Sequence, residues 1–413
     1  MSMHLSILMP GSPMFKRVTT ALLLCSSLAA TATPGEGWRT AWSSAPDSAG
    51  PELPAQTLRQ VVRTSTKGTR VRIRLSNLYG TQPLTVGAAH VGLSAGDARV
   101  AAGSDRPLLF GGRPAVTIAA GSSALSDPVD LAVAALQPLA VSLYLPAPVA
   151  VSTIHGFALR TAYLKAPGDA TGAADFPSSA TDDSRYFLSD VEVLGPDAGR
   201  TLAIVGDSIA DGVGAREEHD TRWPDVLAAR LQAEPALATI GIANEGIAGN
   251  RILNDASTPY VGPSVLARFD RDALDKPGVR WVLLHEGVND ITGARLLAAP
   301  AEKVTVEQIE AGMRQLAGRA RARGVKIWAG TLLPFGGTKR FWSEEAERDR
   351  LALNAWIRTA GVFDAVIDFD AALRDPANAS RLNPAYDSGD HLHPNEAGYR
   401  VMAQQVDLRL LRP

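Results

Sequence analysis

Ser208 is a candidate nucleophile because of where it stands in the chain. It ends the tripeptide Gly206-Asp207-Ser208, which directly follows an apolar run at 202–205. A serine at the turn between a strand and a helix is exposed, and its hydroxyl can attack a carbonyl carbon when a neighbouring base removes the proton. The tripeptide alone is weak evidence, since serine and aspartate also favour helix N-caps. A base elsewhere in the chain is therefore needed to support it.

A candidate base lies near the end of the chain, in the segment Asp387-Ser-Gly-Asp390-His391-Leu-His393. A carboxylate three residues before a histidine can curl back to the imidazole, which fixes the tautomer and leaves the other nitrogen free to accept a proton. Asp390 and His393 have this spacing. Two alternatives remain open: an incidental histidine at a helix start, and a zinc or manganese site formed by Asp387, Asp390, His391 and His393. The sequence upstream supplies no matching pair of histidines for the metal site.

Two further clusters could donate hydrogen bonds to a negatively charged oxygen. Gly249 lies in the segment 244–250, where glycine lets a backbone N–H approach a ligand closely. Asn289 lies in the segment 287–290, and an asparagine side chain at a strand end can donate into a crevice. The alternatives are an ordinary tight turn and a helix cap. In chain order, the four clusters would supply a nucleophile, two oxyanion donors, and a base with its orienting carboxylate.

Three residues beside these clusters are candidates for contact with a substrate: Asn250, Arg251 and His391. Arg251 follows the glycine-containing segment closely and could hold a hydroxyl or carboxylate group of the substrate. The alternative for Arg251 is a salt bridge to Asp290 or Glu286.

The clusters need a scaffold that brings them together, and the second half of the chain predicts one. After residue 199, apolar runs typical of buried strands alternate with segments of helical periodicity. The alternation predicts an α/β fold with a parallel sheet between helices, in which active sites lie at the carboxyl ends of the strands. The predicted strands are 201–205, 239–243, 279–284, 325–332 and 365–369, and the predicted helices are 223–231, 264–274, 306–323, 344–359 and 395–410.

The first half of the chain has a period of two, which is typical of strands with one buried face. The segment 69–76 alternates polar with apolar residues. Further strands are predicted at 84–91, 115–118, 139–145 and 151–158, and a surface loop at 168–184. Short strands at regular spacing predict an all-β sandwich or jelly-roll-like domain at residues 33–197, followed by the α/β domain at 198–413.

The N-terminus has the features of a secretory signal peptide, predicted at residues 1–32. A Lys-Arg pair precedes an apolar run at 18–30, and small residues stand at positions 30 and 32. Met14 is an alternative start, because the residues before it add nothing that a signal peptide needs. A short buried helix is the alternative interpretation of the run. We therefore expect export, either to the periplasm or to the medium.

The single cysteine and the charge balance exclude several classes of function. Cys25 lies inside the predicted signal peptide, so the mature protein would have no thiol nucleophile, disulfide or thiolate metal site. Lys and Arg total 41 against 43 Asp and Glu, a formal net charge of -2. This balance gives no general attraction for nucleic acid or for an anionic membrane. No later segment is long and apolar enough to be a membrane anchor, so we expect a small molecule or a neutral polymer as the partner.

The four clusters together resemble the defining blocks of the SGNH or GDSL hydrolases. The matching blocks are Gly206-Asp207-Ser208, Gly249, Gly287-Val288-Asn289-Asp290 and Asp390-His391-Leu392-His393. The resemblance implies Ser208 as nucleophile, His393 as general base and Asp390 as its partner. It also implies an oxyanion hole formed by the backbone N–H groups of Ser208 and Gly249 with the side chain of Asn289, and a flavodoxin-like sheet of about five parallel strands. No metal and no cofactor are expected.

The N-terminal half is similar to the region that precedes this domain in one two-domain subgroup of these enzymes. The segments that carry this similarity are 38–42, 58–60, 74–81, 222–224, 249–251 and 268–270. The expected function is an exported esterase for short acyl groups, such as acetyl, on carbohydrate or similar alcohols. The carbohydrate part rests on association with an accessory β domain. Alternatives are an acyltransferase with the same residues, a lipid or aryl esterase, a metallohydrolase and a binding protein with an inactive catalytic domain.

Overall fold

The computed structural model describes residues 37–255, 258–296 and 299–412. The predicted signal peptide and Cys25 lie outside the described residues. Residues 34–413 form one compact unit. None of the helices that the structure describes is both long and apolar enough to cross a membrane.

Residues 37–195, here called the β region, contain strands and connecting loops but no helix. They are β1 Gly37–Ser43, β2 Ser48–Gly50, β3 Gln56–Arg63, β4 Gly68–Ser76, β5 Leu84–Val86, β6 Ala88–Leu93, β7 Arg106–Pro107, β8 Val116–Ile118, β9 Ser123–Leu125, β10 Val129–Val133, β11 Pro138–Leu145, β12 Ser152–His155, β13 Ala162–Ala166, β14 Ala180–Asp182, β15 Arg185–Tyr186 and β16 Leu188–Gly195. One antiparallel sheet has the order β1-β16-β4-β10, with β9 also on β4, and another has the order β14-β13-β3-β11-β6-β7. Side chains of both sheets share one hydrophobic core, as in a sandwich.

Strand β4 shows why the alternating pattern at 69–76 predicted a strand with one buried face. Its apolar residues Val71, Ile73 and Leu75 are fully buried, while the arginines between them are partly exposed. The strand therefore places one face in the core and the other towards solvent. The predicted strand at 84–91 is interrupted at Gly87, which separates β5 from β6.

Residues 200–412, here called the α/β region, contain a parallel sheet, helices and a short hairpin. The strands are β17 Arg200–Gly206, β18 Ile240–Gly246, β19 Val279–His285, β20 Lys326–Gly330, β21 Ala365–Ile367, β22 Arg374–Asp375 and β23 Asn378–Leu382, and the α-helices are α1 Ser208–Asp211, α2 Trp223–Gln232, α3 Val265–Phe269, α4 Val288–Leu296, α5 Val306–Ala322, α6 Glu344–Thr359, α7 Phe369–Leu373 and α8 Glu396–Gln405. The predicted boundary at 197/198 falls between β16 and β17.

The parallel sheet has five strands in the order β18-β17-β19-β20-β21. Numbered along the chain, this is the order 2-1-3-4-5 of flavodoxin-like sheets, so the predicted fold class is confirmed. The order reverses at β17, which leaves a crevice beyond the carboxyl ends of β17, β18 and β19. The candidate clusters around Ser208, Gly249 and Asn289 follow these three strands directly.

Local signals in the sequence explain several helix boundaries. Helix α5 begins after a capping box, in which Thr305 and Gln308 exchange side-chain and backbone hydrogen bonds. Two predicted helices are shorter than expected: the segment 264–274 is α3 followed by a π-helical turn, and the segment 395–410 contains α8 followed by a 3-10 turn. Helices α4 and α7 were not predicted.

The β region borders the parallel sheet at β18. The backbone N–H of Thr40 in β1 donates to Oγ1 of Thr201 at 3.1 Å, and Ile242 in β18 donates to Oγ of Ser65 at 2.8 Å. Gly241 is required for this approach, because a Cβ there would lie 1.9 Å from the carbonyl oxygen of Thr40. Strand β1 therefore covers the edge of the parallel sheet.

Candidate active site

Ser208 begins α1 immediately beyond the carboxyl end of β17. The carboxylate of Asp207 caps this short helix by accepting the backbone N–H of Ile209 at 2.9 Å. Ser208 is 8% exposed, so its side chain lies at the floor of the crevice and not on a projecting loop. Burial raises the pKa of Asp207 to about 6, although the hydrogen bond from Ile209 opposes this rise.

Ser208, His393 and Asp390 form a continuous line of hydrogen bonds. Nε2 of His393 lies 2.9 Å from Oγ of Ser208. On the other side of the ring, Nδ1 of His393 lies 2.5 Å from Oδ2 of Asp390. Because a carboxylate can only accept, Nδ1 carries the proton and Nε2 is left to accept one from the serine hydroxyl. The structure therefore brings together the three residues that the sequence predicted to act together.

The loop before α8 holds the carboxylate of Asp390 in place. Its Oδ1 accepts the backbone N–H groups of Leu392 at 2.9 Å and of His393 at 2.8 Å. Burial raises the pKa of Asp390, but the hydrogen bonds from the His393 ring and from these two N–H groups outweigh it and leave the pKa below its ordinary value. Asp390 is therefore an ionised partner for the imidazole.

Gly249 lies in the loop after β18 with a φ of +76°, in the left-handed region. A Cβ at this position would lie 3.0 Å from Cγ1 of Val261, so glycine suits both the backbone conformation and the space. The backbone N–H groups of Ser208 and Gly249 donate to no protein acceptor within the described part of the chain. Both groups are therefore available to a ligand.

The side chain of Asn289 is oriented by the loop that contains Gly249. Its Nδ2 donates to the backbone carbonyl oxygen of Asn250 at 3.0 Å, which uses one of its two N–H bonds. The side chain of Asn289 is 8% exposed, at the same rim as Ser208. The second N–H bond is left to serve as a donor in the crevice.

Asn250 itself is buried and fully hydrogen-bonded. Its Nδ2 donates to the carbonyl oxygens of Val261 at 2.7 Å and Pro263 at 2.9 Å, and its Oδ1 accepts from Nε of Arg268 at 2.9 Å. These contacts use every polar atom of the side chain. The geometry thus gives Asn250 a part in shaping the loop, and its side chain is not presented to a substrate.

Arg251 forms an ion pair, but with a different partner from either of those predicted. Its Nη1 lies 2.6 Å from Oε2 of Glu302, and its Nη2 donates to the carbonyl oxygen of Asp255 at 2.8 Å. The predicted pairing with Asp290 or Glu286 is therefore wrong, because the carboxylate that contacts the guanidinium belongs to Glu302, in the turn after α4. Arg251 is only 3% exposed.

Asp290, the expected partner of that arginine, instead holds the loop backbone. Its two carboxylate oxygens accept the N–H groups of Ile252 at 2.8 Å and Leu253 at 3.1 Å. Burial raises the pKa of Asp290 to about 6, and these two hydrogen bonds oppose the rise. Asp290 and its neighbour Asn289 thus fix the same loop from one helix.

His391 is the predicted substrate contact that the structure leaves most accessible. Its side chain is 54% exposed, and its Nδ1 lies 2.6 Å from Oδ2 of Asp387. Two separate aspartate-histidine pairs therefore stand in this loop, and only the one with His393 reaches Ser208. Among the described residues, no group of three or more His, Cys, Asp or Glu side chains is arranged to hold a metal ion.

Two buried ionisable residues lie beneath the crevice, at the end of β19. His285 and Glu286 are 1% and 0% exposed, and their side-chain polar atoms have no hydrogen-bond partner among the described residues. Burial lowers the pKa of His285 to about 4. Burial also raises the pKa of Glu286 well above its ordinary value, and the nearby carboxylate of Asp207 raises it further.

Sequence reasoning did not identify Arg268 and Asp211 as parts of this site. Arg268 is fully buried and donates to Oδ1 of Asn250 and to the carbonyl oxygen of Glu245 at 2.8 Å. Asp211 ends α1 and accepts the backbone N–H of Ala248 at 2.9 Å. An arginine within the apolar helix α3 was the available signal for Arg268. The signal for Asp211 was weaker, because its partners are distant in sequence.

Comparison with known proteins gives a family match for most of the α/β region. Residues 204–401 match the model of the GDSL-like Lipase/Acylhydrolase family. These residues therefore form a GDSL-like lipase/acylhydrolase domain, and the chain is a carboxylic-ester hydrolase, as predicted. A comparison with curated proteins found no match.

Solved structures that are similar to the chain include three hydrolases. An acetylxylan esterase from Geobacillus stearothermophilus is 23% identical, with a TM-score of 0.39 over 51% of this chain and 93% of that chain. A GDSL-like lipase from Bacteroides thetaiotaomicron is 18% identical, with a TM-score of 0.38 over 51% and 88%. An α/β hydrolase from the metagenome of Lake Arreo is 22% identical, with a TM-score of 0.38 over 50% and 93%.

Proposed function

We propose that the chain is an exported serine esterase in which Ser208 is the nucleophile, His393 the general base and Asp390 its orienting partner. The oxyanion hole is formed by the backbone N–H groups of Ser208 and Gly249 and by the side chain of Asn289. The observation that carries the proposal is the hydrogen-bonded line from Oγ of Ser208 to Nε2 of His393 at 2.9 Å, and from Nδ1 to Asp390 at 2.5 Å.

In the first half of the reaction, Oγ of Ser208 attacks the ester carbonyl carbon while Nε2 of His393 takes the hydroxyl proton. The carbonyl oxygen becomes an oxyanion, which accepts hydrogen bonds from the three proposed donors. The tetrahedral intermediate collapses when the bond to the alcohol oxygen breaks and His393 gives its proton to that oxygen. An acyl group is then bound to Ser208.

In the second half, water replaces the alcohol. His393 removes a proton from the water as it attacks the acyl carbon, and the oxyanion hole is used again. Collapse releases the carboxylic acid, and His393 returns the proton to Oγ of Ser208. Asp390 remains ionised throughout and stabilises the imidazolium that forms in each half. Its low pKa suits this role.

The proposed substrates are esters of short acyl groups, such as acetyl, on carbohydrate or similar alcohols. The sequence features behind this proposal are a signal-peptide pattern at 1–32 and a β region that accompanies the hydrolase domain. We propose a division into an accessory domain at 33–197 and a hydrolase domain at 198–413.

Hydrolysis of p-nitrophenyl acetate, butyrate and octanoate by the mature protein tests the proposal. We expect turnover that falls with chain length, is unchanged by a chelator and is lost in Ser208→Ala. Undiminished activity in Ser208→Ala would contradict the serine mechanism, and loss of activity with a chelator would favour the metal site at 387–393. Product analysis with an added alcohol acceptor separates hydrolysis from acyl transfer.

A further inference from the structure

His155 is a buried residue of the β region that contacts the α/β region. It ends β12 and is 4% exposed. Its Nδ1 lies 2.9 Å from the carbonyl oxygen of Ala45, and its Nε2 lies 2.9 Å from the carbonyl oxygen of Phe157. Nε2 is also 3.0 Å from Oδ1 of Asp211, the last residue of α1. A histidine of one region therefore touches the helix that begins with the candidate nucleophile.

The partners of the His155 ring indicate that both of its nitrogens carry protons. Carbonyl oxygens accept hydrogen bonds and cannot donate them, so Nδ1 must donate to Ala45 and Nε2 must donate to Phe157. An imidazole that donates from both nitrogens is an imidazolium. Two carboxylates compensate the charge, since Asp211 lies 3.0 Å and Asp47 lies 3.5 Å from the ring.

The ionic environment agrees with this protonation state. Burial lowers the pKa of His155, but the carboxylate of Asp211, the hydrogen bond to it and the carboxylate of Asp47 outweigh burial and raise the pKa to about 9. Oδ2 of Asp47 also accepts the backbone N–H of Gly156 at 2.6 Å. His155 is thus a fixed positive charge between two buried carboxylates.

Asp211 connects His155 to the loop that contains the candidate oxyanion donor Gly249. Its Oδ1 faces the ring of His155, and its Oδ2 accepts the backbone N–H of Ala248 at 2.9 Å. Ala248 immediately precedes Gly249, whose N–H is a proposed oxyanion donor. Asp211 therefore links three parts of the molecule: the nucleophile helix, the loop after β18 and the β region.

We propose that His155 is a positioning residue through which the β region holds the nucleophile helix and the Gly249 loop in their reactive arrangement. The inference rests on the proposed function, because it assigns His155 to the same oxyanion hole. A neutral residue would leave the carboxylates of Asp211 and Asp47 buried without a compensating charge. Asp211 would then turn towards solvent or another donor and release the N–H of Ala248.

The expected effect is on the transition state and not on substrate binding. Small displacements of a catalytic group by a distant change can cost on the order of a hundredfold in rate, and loss of a whole oxyanion donor costs on the order of a hundred- to a thousandfold. Replacement of His155 should displace the Gly249 N–H without removing it. We therefore expect a decrease in kcat of roughly ten- to a hundredfold, with KM changed less than about threefold.

The test compares His155→Gln and Asp211→Asn with the wild-type mature protein on p-nitrophenyl acetate. Asp211→Asn is informative because an amide presents an NH₂ group either to the ring or to the N–H of Ala248, so one of the two contacts is lost. His90→Gln is the matched control: Nδ1 of His90 pairs with Oδ2 of Asp105 at 2.8 Å, also in the β region. We expect normal activity in the control and non-additive losses in the double variant of His155 and Asp211.

Hydrogen exchange gives a readout that does not depend on catalysis. The peptide that contains Ala248 should exchange faster in His155→Gln than in the wild type, while peptides of β20 should be unchanged. A folded His155→Gln variant with wild-type kcat and unchanged exchange at Ala248 would overturn the inference. If His155→Gln does not fold, the same two measurements on Asp211→Asn decide. The two proposals are tested separately. The activity of Ser208→Ala tests the serine mechanism, whereas hydrogen exchange at Ala248 in His155→Gln tests the role of His155 without reference to activity.

Discussion

Asn289 and Asn250 are joined by one hydrogen bond, from Nδ2 of Asn289 to the backbone carbonyl oxygen of Asn250 at 3.0 Å. This contact connects the start of α4 to the loop after β18, so two of the proposed oxyanion donors are oriented by the same segment. The side chain of Asn250 is in turn fixed by Arg268. The proposed oxyanion hole is therefore supported by buried polar contacts, which would fix its donors before a substrate arrives.

Asn289→Ala should lower kcat by on the order of a hundredfold or more, because one donor to the oxyanion is lost. KM should change little, since the interaction is strongest in the transition state. Steady-state kinetics on p-nitrophenyl acetate measures both constants. Exposed Asn378→Ala is the control and should behave as wild type. A change confined to KM would contradict the proposed role of Asn289.

Asp390→Asn should lower kcat by roughly a thousand- to ten-thousandfold, the size of effect known for the orienting aspartate of a serine triad. In Asp390, one carboxylate oxygen accepts the two backbone N–H groups and the other accepts from the ring of His393. Asparagine has only one acceptor oxygen, so its NH₂ group would face one of these donors. The comparison is Asp387→Asn, which alters the neighbouring pair with His391, 2.6 Å away. Because His391 does not contact Ser208, we expect a loss below about tenfold there. Equal losses in the two variants would argue against the assignment of Asp390.

Gly249→Ala should reduce both stability and turnover. The φ of +76° is unfavourable for alanine, and the new Cβ would lie 3.0 Å from Val261. We expect a loss of about 1 kcal/mol in the free energy of unfolding and a lower kcat. Gly318→Ala, in the middle of α5 with open space around it, should instead raise stability by about 0.5–1 kcal/mol. Urea denaturation of both variants measures the difference, and equal effects would contradict the strain at Gly249.

Glu286→Gln should change how stability depends on pH. Burial raises the pKa of Glu286 well above its ordinary value of 4.5, so the folded protein keeps a proton that the unfolded chain releases above that pH. The contribution of this group to stability therefore falls as pH rises above about 4.5, by up to about 1.4 kcal/mol per pH unit. Glutamine has no proton to release, so its advantage over glutamate should grow from pH 5 to pH 8.

Denaturation midpoints at the two pH values measure that advantage. The exposed Glu234→Gln is the control for loss of one negative charge. If Glu286→Gln and the wild type keep a constant difference in stability across this range, the carboxyl of Glu286 is not protonated in the folded protein.

The parallel sheet and the hydrogen-bonded arrangement of Ser208, His393 and Asp390 were predictable because their signals are local. Strand β19 was predicted to within one residue, and each cluster stands directly after an apolar run or within a few residues of a helix start. Helix α4 was not predicted, because its first turn contains the polar residues Asn289 and Asp290, which resemble a loop. Their buried contacts with the loop after β18 favour the helix instead.

The supporting contacts could not be predicted, because they join distant parts of the sequence. His155 and Asp211 are 56 residues apart, and nothing in the sequence of β12, whose four residues are all buried, indicates that its last residue meets α1. The ion pair of Arg251 was assigned to the wrong acid for the same reason. Glu302 lies 51 residues from Arg251 along the chain, and only the tertiary structure decides that Glu302, and not Asp290, pairs with the guanidinium.

Strand β1 has a consequence for how the protein is synthesised. It is the first described element to leave the ribosome, but its sheet partner β16 ends at Gly195, and over a third of the chain separates the two strands. The strand it borders, β18, appears later still. Until then the nascent chain carries an unpaired strand, whose free N–H and C=O groups are a template for pairing with other chains.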